Sequence, residues 1–169
     1  MPIIICLGLF LPLMGFLSIV AFYQVIGRRL AGCVACSTIF LSFACFLTLL
    51  VTFLNLDIPA EQLSLFRFIP LKGIEANFSL HLDSLSLLMT LIITGIGFLI
   101  HVYSIGYMEH DEDVPRYFAC LNFFVFSMLL LVLAGDLLVL FLGWEGVGLA
   151  SYLLIGFYYA RPQAAQAAT

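Results

Sequence analysis

The sequence predicts an all-α membrane protein: about five transmembrane helices, with a short β-hairpin in the loop between the second and third. Three observations lead there. Of 169 residues, 64% are hydrophobic and 9% charged, whereas a soluble domain carries about 25% charged residues, so polar groups are too few to cover a globular surface. Five long apolar runs follow one another along the chain. The one long interval between them alternates apolar and polar residues with a period of two. Composition also excludes other classes. Six Lys and Arg lie scattered among ten Asp and Glu, for a net charge of −4, which argues against nucleic-acid binding. Five cysteines, an odd number within apolar runs, argue against a disulfide scaffold.

The apolar runs are Ile3–Ile26, Leu30–Leu56, Leu85–Tyr107, Tyr117–Ala134 and Leu137–Tyr159. A helix needs roughly 20 such residues to cross the hydrocarbon layer; the fourth run only just qualifies. The first run lacks a basic leader and a small-residue cleavage site, so it reads as a retained span. Gly27-Arg28-Arg29 separates the first two runs, and Asp57 with Pro59 closes the second. Asp83 or Ser84 suits the N-cap of the third helix and Asp136 that of the fifth, because their side chains accept from free N–H groups. Glu109, Asp111, Glu112 and Asp113 precede Pro115, where acids favour the positive end of a helix dipole. That run reads as a solvated cap of the fourth helix and not as a metal site.

Phe66 and Phe68, then Phe78, Leu80 and Leu82, alternate with Arg67, Ser79 and His81, the pattern of two half-buried strands. Pro70 to Ala76, containing Lys72-Gly73, supplies the turn. Alternate loops carry Arg28, Arg29, Arg116 and Arg161 on one side against Arg67 and Lys72 on the other, which places the N-terminus and the hairpin outside. Three regions follow: a two-helix membrane segment (1–56), an outer loop with the hairpin (57–83) and the start of a helical domain (84–169). Pro162 reads as the first turn of a further helix, and the tail Gln163–Thr169 as cut off, so the chain is expected to be the front end of a longer one.

Glu145 is the one acid inside a span. At 1.5 Å per residue it lies ~12 Å along the fifth run, near the midplane of a ~30 Å core. A carboxylate there costs ~2.5–3.5 kcal/mol or more, so the default reading is an ion or proton pathway, or an interhelical pair; the bland alternative is a neutral carboxyl group bonded to a neighbour. Gly148, Tyr152 and Gly156 share its helix face, and Gly143, Gly146 and Ala150 form a second strip of small residues that lets a helix approach closely. The only lysine, Lys72, is in a loop, so a compensating cation has to come from elsewhere. His101, near the end of the third run, is a candidate proton relay or an ordinary helix contact. Thr90 and Thr94 in that run are expected to bond their own backbone. Cys33 and Cys36 have CxxC spacing without zinc partners and read as buried packing. Tyr103, Tyr107, Tyr158 and Tyr159 cluster at span ends, and Trp144 is expected to pack between helices.

The run from Gly97 to Met108, then Arg116-Tyr-Phe-Ala119 with Asn122, and above all Phe141-Leu-Gly-Trp-Glu-Gly-Val-Gly-Leu-Ala-Ser-Tyr152 and on to Tyr159, resembles the largest antiporter-like subunit family of respiratory complex I. These are NADH-quinone oxidoreductase subunit L and its mitochondrial counterpart, chain 5. Cation/proton antiporter subunits share much of this region. The resemblance implies that Glu145 takes part in proton translocation, paired with a lysine on a later helix, and that His101 and Tyr152 are possible proton-path or helix-contact residues. It implies a subunit coupling electron transfer from NADH to quinone to proton pumping, with other complex I membrane subunits and the lipid bilayer as partners. No cofactor is expected on this chain; NADH, FMN, iron–sulfur clusters and quinone belong to other subunits. The expected location is the bacterial plasma membrane, with the mitochondrial inner membrane as the alternative. Family members have over a dozen spans, so these residues alone are expected to be inactive. At Gly135-Asp136 the family often has an acid followed by asparagine, which points to altered capping.

Overall fold

A computed structural model describes residues 1–56, 61–71, 74–111, 113–158 and 166–167, with the backbone alone at 56, 61, 65–71 and 74–77. Five helices are long and apolar enough to cross a membrane: α1 (Pro2–Ala21), α2 (Arg28–Leu56), α3 (Ser84–Tyr107), α4 (Val114–Val132) and α5 (Leu137–Ile155), the last extended by a 3₁₀ turn, Gly156–Tyr158. Between α2 and α3, β1 (Glu61–Leu71) and β2 (Ile74–Leu82) pair antiparallel. The chain is an integral membrane protein of the predicted class. Asp57 and Pro59, the Lys72-Gly73 turn, Glu112, Tyr159, Arg161 and Pro162 lie outside the described residues.

Helix bounds shift from the apolar runs for local reasons. Phe22 ends α1 early, and the chain turns with Ile26 N–H donating to the Phe22 carbonyl (2.8 Å). α4 begins at Val114 because Pro115 is preset for a first helical turn. It stops at Val132 because Leu133 and Ala134 turn to meet β2.

α4 is the hub, packing against α1, α2, α3 and α5. Along its most apolar 18 residues α4 is 61% buried, against 17% for α5, so α5 is a flank with one side open. Core side chains form two clusters at opposite ends. One gathers Ile5, Leu9, Phe46, Leu87, Leu129 and Leu133 with Leu80 and Leu82 of β2; the hairpin thus closes that end. The other gathers Ile19, Ala35, Met108, Phe118 and Phe157. Cys36 is buried as expected, but Cys33 is exposed.

β2 is tied down by the α4–α5 turn. His81 N–H donates to the Leu133 carbonyl (2.8 Å) and Gly135 N–H to the Ser79 carbonyl (2.9 Å), so this turn pairs with β2 at a single antiparallel bridge, Ala134 with Leu80. Ser79, expected on the polar face, is therefore 4% exposed. A Cβ at Gly135 would lie 2.9 Å from the Ser79 backbone, so no larger residue fits at that crossing. Irregularities between Ser64 and Phe66 and between Arg67 and Ile69 interrupt the simple alternation of β1.

The strip predicted for close approach makes it. A Cβ at Gly143 would come within 2.6 Å of the Leu131 backbone nitrogen, and Ala150 is fully buried. Gly143→Ala is therefore expected to lower stability by about 1–3 kcal/mol, whereas Gly97→Ala, whose Cβ would meet Val125 at an ordinary 3.5 Å, stays within about 1 kcal/mol of the parent. Thermal unfolding midpoints of the lipid-reconstituted protein check the contrast.

Candidate functional site

Glu145 stands midway along α5. The helix is set by Asp136, one of whose oxygens accepts from Val139 N–H (2.9 Å) while the other accepts from the Ser79 hydroxyl (2.8 Å) and amide (3.2 Å). One carboxylate thus caps α5 and fastens β2 to it. Burial alone would raise its pKa, but the donors from Val139 and Ser79 outweigh that and hold it below the usual value. Asp83 does the same for α3: its side chain accepts from Ser86 N–H (2.7 Å), and the Ser86 hydroxyl returns a bond from the Asp83 amide (2.8 Å). These bonds lower its pKa too, the Ser86 amide foremost. Both predicted caps form.

With Gly143, Gly146 and Ala150 turned onto α4, Glu145 is left on the open side of α5. It makes no hydrogen bond or ion pair with any other described residue. Gly148 beside it has nothing within 4 Å of a Cβ position, and Tyr152, two turns on, is 51% exposed. Trp144 is 67% exposed, contrary to the expectation that it packs between helices. Its neighbours Gly143 and Gly146 take the contact with α4, which turns the indole away.

His101 is in a different place. It is wholly buried, with Nδ1 2.7 Å from the Gly97 carbonyl and Nε2 2.9 Å from Asn122 Oδ1. Asn122 Nδ2 donates to Thr38 Oγ1 (3.2 Å), and Thr38 donates to the Ala35 carbonyl (2.9 Å). Gly15 of α1 admits this cluster, since a Cβ there would collide with the Asn122 amide and Thr38. Four helices therefore meet at one polar layer between the two apolar clusters. The same face of α3 buries Ser86, Thr90, Thr94 and Ser104; Thr90 and Thr94 bond their own backbone as predicted (2.8 and 2.6 Å), and Ser104 shares a bond with the Tyr117 hydroxyl (3.2 Å).

The structure does not bring His101 and Glu145 together: Asn122 faces α3, while Phe123, Ser127 and Leu131, on the far side of α4, face α5. Residue by residue, the sequence does not single out Asn122 or Thr38 for chemistry. The available signal was an amide alone in an apolar span, a usual interhelical bond former; a threonine in a helix gives no such signal. The acidic run reaches the N-cap of α4 as expected, with its carboxylate engaged elsewhere. Asp113 occupies the N-cap of α4 without a capping bond; its carboxylate accepts from Tyr23 of α1 (2.9 Å) and faces Arg116 (3.5 Å). Arg116 in turn donates to the Phe157 carbonyl (2.7 Å) and lies 4.9 Å from its ring, which ties the ends of α4 and α5.

Two family models match. Residues 68–118, which include His101, fit the N-terminus of chain 5 of NADH-ubiquinone oxidoreductase (complex I). Residues 134–169, which include Glu145, fit the transmembrane region of the NADH:quinone oxidoreductase and Mrp antiporter family. The chain belongs to the complex I subunit L and Mrp antiporter family. NADH-quinone oxidoreductase subunit L of Mycobacterium tuberculosis (strain CDC 1551 / Oshkosh) is 55% identical over 61% of this chain and 16% of its own length. That of Escherichia coli K12 is 40% identical over 97% of this chain and 27% of its own. A chain in the structure of the Mrp complex from Dietzia sp. DQ12-45-1b superposes with a TM-score of 0.71 at 28% identity, covering 99% of this chain and 17% of that one. The chain thus spans roughly a quarter or less of the length of these subunit L relatives.

In this subunit L-like chain the caps carry a pH dependence. Both carboxylates have folded values below the ordinary 3.8, so their contribution is whole above that pH and is lost as pH falls through the lowered values. Asp136→Ala is expected to cost about 1–2 kcal/mol and to speed hydrogen exchange at the Ser79, His81 and Gly135 amides at neutral pH. Acidifying the parent through the lowered value lowers the protection of the same amides, each measured against the intrinsic exchange rate at that pH, and exchange mass spectrometry at those amides checks both.

Proposed function

We propose that the chain is the N-terminal part of a proton-translocating membrane subunit of NADH-quinone oxidoreductase, coupling electron transfer from NADH to quinone to proton pumping, with Glu145 as the group that exchanges the proton. One observation carries this reading: a carboxyl group midway along a span, on a helix face that no described residue covers. Such a group is costly in lipid and is retained where its proton is used. The small residues beside it leave room for another helix, and the relatives are several times longer, so the compensating cation comes from a part of the longer protein outside these residues. On this reading the 169 residues alone do not pump. NADH, FMN, iron–sulfur clusters and quinone are held by other subunits; the location is a bacterial plasma membrane, with the hairpin on its outer side. Tyr152, on the same open face, is the second polar group at that contact.

A second reading, a subunit of a multisubunit sodium/proton antiporter, is favoured by the fit to the Mrp complex over nearly the whole chain. Membrane vesicles carrying the full-length protein separate the two: NADH-driven acidification without a sodium requirement supports the first, sodium-dependent proton exchange without NADH the second. In the first case Glu145→Gln is expected to cut pumping by about tenfold or more while leaving assembly of the complex intact. Pumping at the parent rate would reduce Glu145 to a packing residue.

A further inference from the structure

Each ring nitrogen of His101 faces an oxygen, and this fixes what the cluster can do. The Gly97 carbonyl only accepts, so Nδ1 carries a proton. A neutral ring then offers a lone pair at Nε2, which Asn122 Oδ1 cannot satisfy. The arrangement found, with Oδ1 toward Nε2, Nδ2 toward Thr38 and the Thr38 hydroxyl toward Ala35, is complete only for the doubly protonated ring. The two ends of an amide have the same shape, so a half turn of Asn122 gives a second complete pattern. There Nδ2 donates to Nε2 of a neutral ring, and the Thr38 hydroxyl leaves Ala35 to donate to Oδ1. The two patterns differ by one proton.

We propose that His101 is an intramembrane proton-binding site, and that uptake of a proton at Nε2 reverses the hydrogen-bond chain through Asn122 to Thr38, linking α3, α4 and α2. A proton from water adds to the lone pair, the ring gains one positive charge, the amide turns and the Thr38 hydroxyl swings back to Ala35; no covalent bond is exchanged elsewhere. About one helical turn nearer the α3–α4 loop the Ser104 and Tyr117 hydroxyls share a bond of their own (3.2 Å), which makes that loop the side from which the proton is taken to arrive. No fixed charge dictates the state of the ring. Beyond its cysteine, α1 carries no titratable side chain; α2 has Arg28 and Arg29 in its first turn and otherwise only cysteines. On α3 the other titratable groups are Tyr103 and Tyr107, both exposed. On α4, Cys120 is buried, Tyr117 bonds Ser104, and Arg116 at the loop end is engaged with Asp113 and Phe157. The inference needs no role for Glu145.

The test is ¹⁵N-histidine solid-state NMR of the full-length protein in its membrane complex, with His101 signals assigned by difference against His101→Gln. Between about pH 8 and about pH 5, Nε2 is expected to pass from unprotonated to protonated while Nδ1 stays protonated. Asn122→Leu removes the acceptor and abolishes that change; should it fail to assemble, Asn122→Asp decides, with both nitrogens protonated already at the upper pH. An Nε2 signal that does not change in the parent, that changes equally in Asn122→Leu, or that in Asn122→Asp matches the parent at the upper pH overturns the proposal. Proton pumping does not enter the readout, so loss of the Glu145 reading leaves this one standing.

Discussion

A polar group inside the hydrocarbon layer has to find its partner within the protein, and that constraint decides which faces of these helices turn inward. On α3 the inward face holds Ser86, Thr90, Thr94, His101 and Ser104, while Leu88, Ile92, Ile96 and Leu99 point outward. A soluble helix would be oriented the other way. In lipid the apolar side chains are at no disadvantage outside, and the hydroxyls and imidazole are served only among other helices. The same logic seats Ser42 of α2 on the Gly8 carbonyl of α1 (2.6 Å). Among the described residues no buried side-chain nitrogen or oxygen lacks a partner.

The constraint also explains the hairpin's place. Two strands alone are marginal in water; these gain the α4–α5 turn as a third partner and bury Leu80 and Leu82 in the end of the bundle. Asp136 belongs to both structures at once, with one oxygen on α5 and one on Ser79. Asp83 ends β2 and caps α3 within one residue step. The hairpin is therefore fastened at its base to the helix carrying His101 and, through Asp136, to the helix carrying Glu145.

What was legible in the sequence is what local physics sets. Run length and composition gave five spans; side chains that reach N–H groups three residues on gave the caps at Asp83 and Asp136; period-two alternation gave the strands. The small strip on α5 was legible because small residues at helical spacing have few other uses in a membrane. Errors fell where a distant segment decides. Ser79 reads as a surface residue until the α4–α5 turn is known to cross it. Asp113 stands at the N-cap of α4 as its place before Pro115 suggests, but the bond it accepts from Tyr23, ninety positions earlier, is not visible locally. Trp144 reads as buried until Gly143 takes the contact with α4. The His101, Asn122 and Thr38 cluster needs three helices in register, and no single helix carries enough of it to be seen.

His101 and Glu145, the histidine and the acid found within spans among the described residues, stand on opposite sides of α4 with opposite surroundings. His101 has a complete set of partners; Glu145 has none among the described residues. Within the bundle α4 stands between them, and the contacts on its two faces differ in kind. Toward His101 the link is an amide side chain, free to turn about its own bonds without moving the helix. Toward α5 the link is backbone: at Gly143 a single added carbon would fall 2.6 Å from the Leu131 nitrogen, and a backbone contact cannot yield by changing rotamer. Helices α4 and α5 are therefore held at close spacing, with the position of Glu145 set by the Gly143 contact along its length and by Asp136 at its end. Turning of the Asn122 amide leaves the backbone contact at Gly143 as it is, whereas a displacement of α4 at Leu131 would press directly on the backbone of α5.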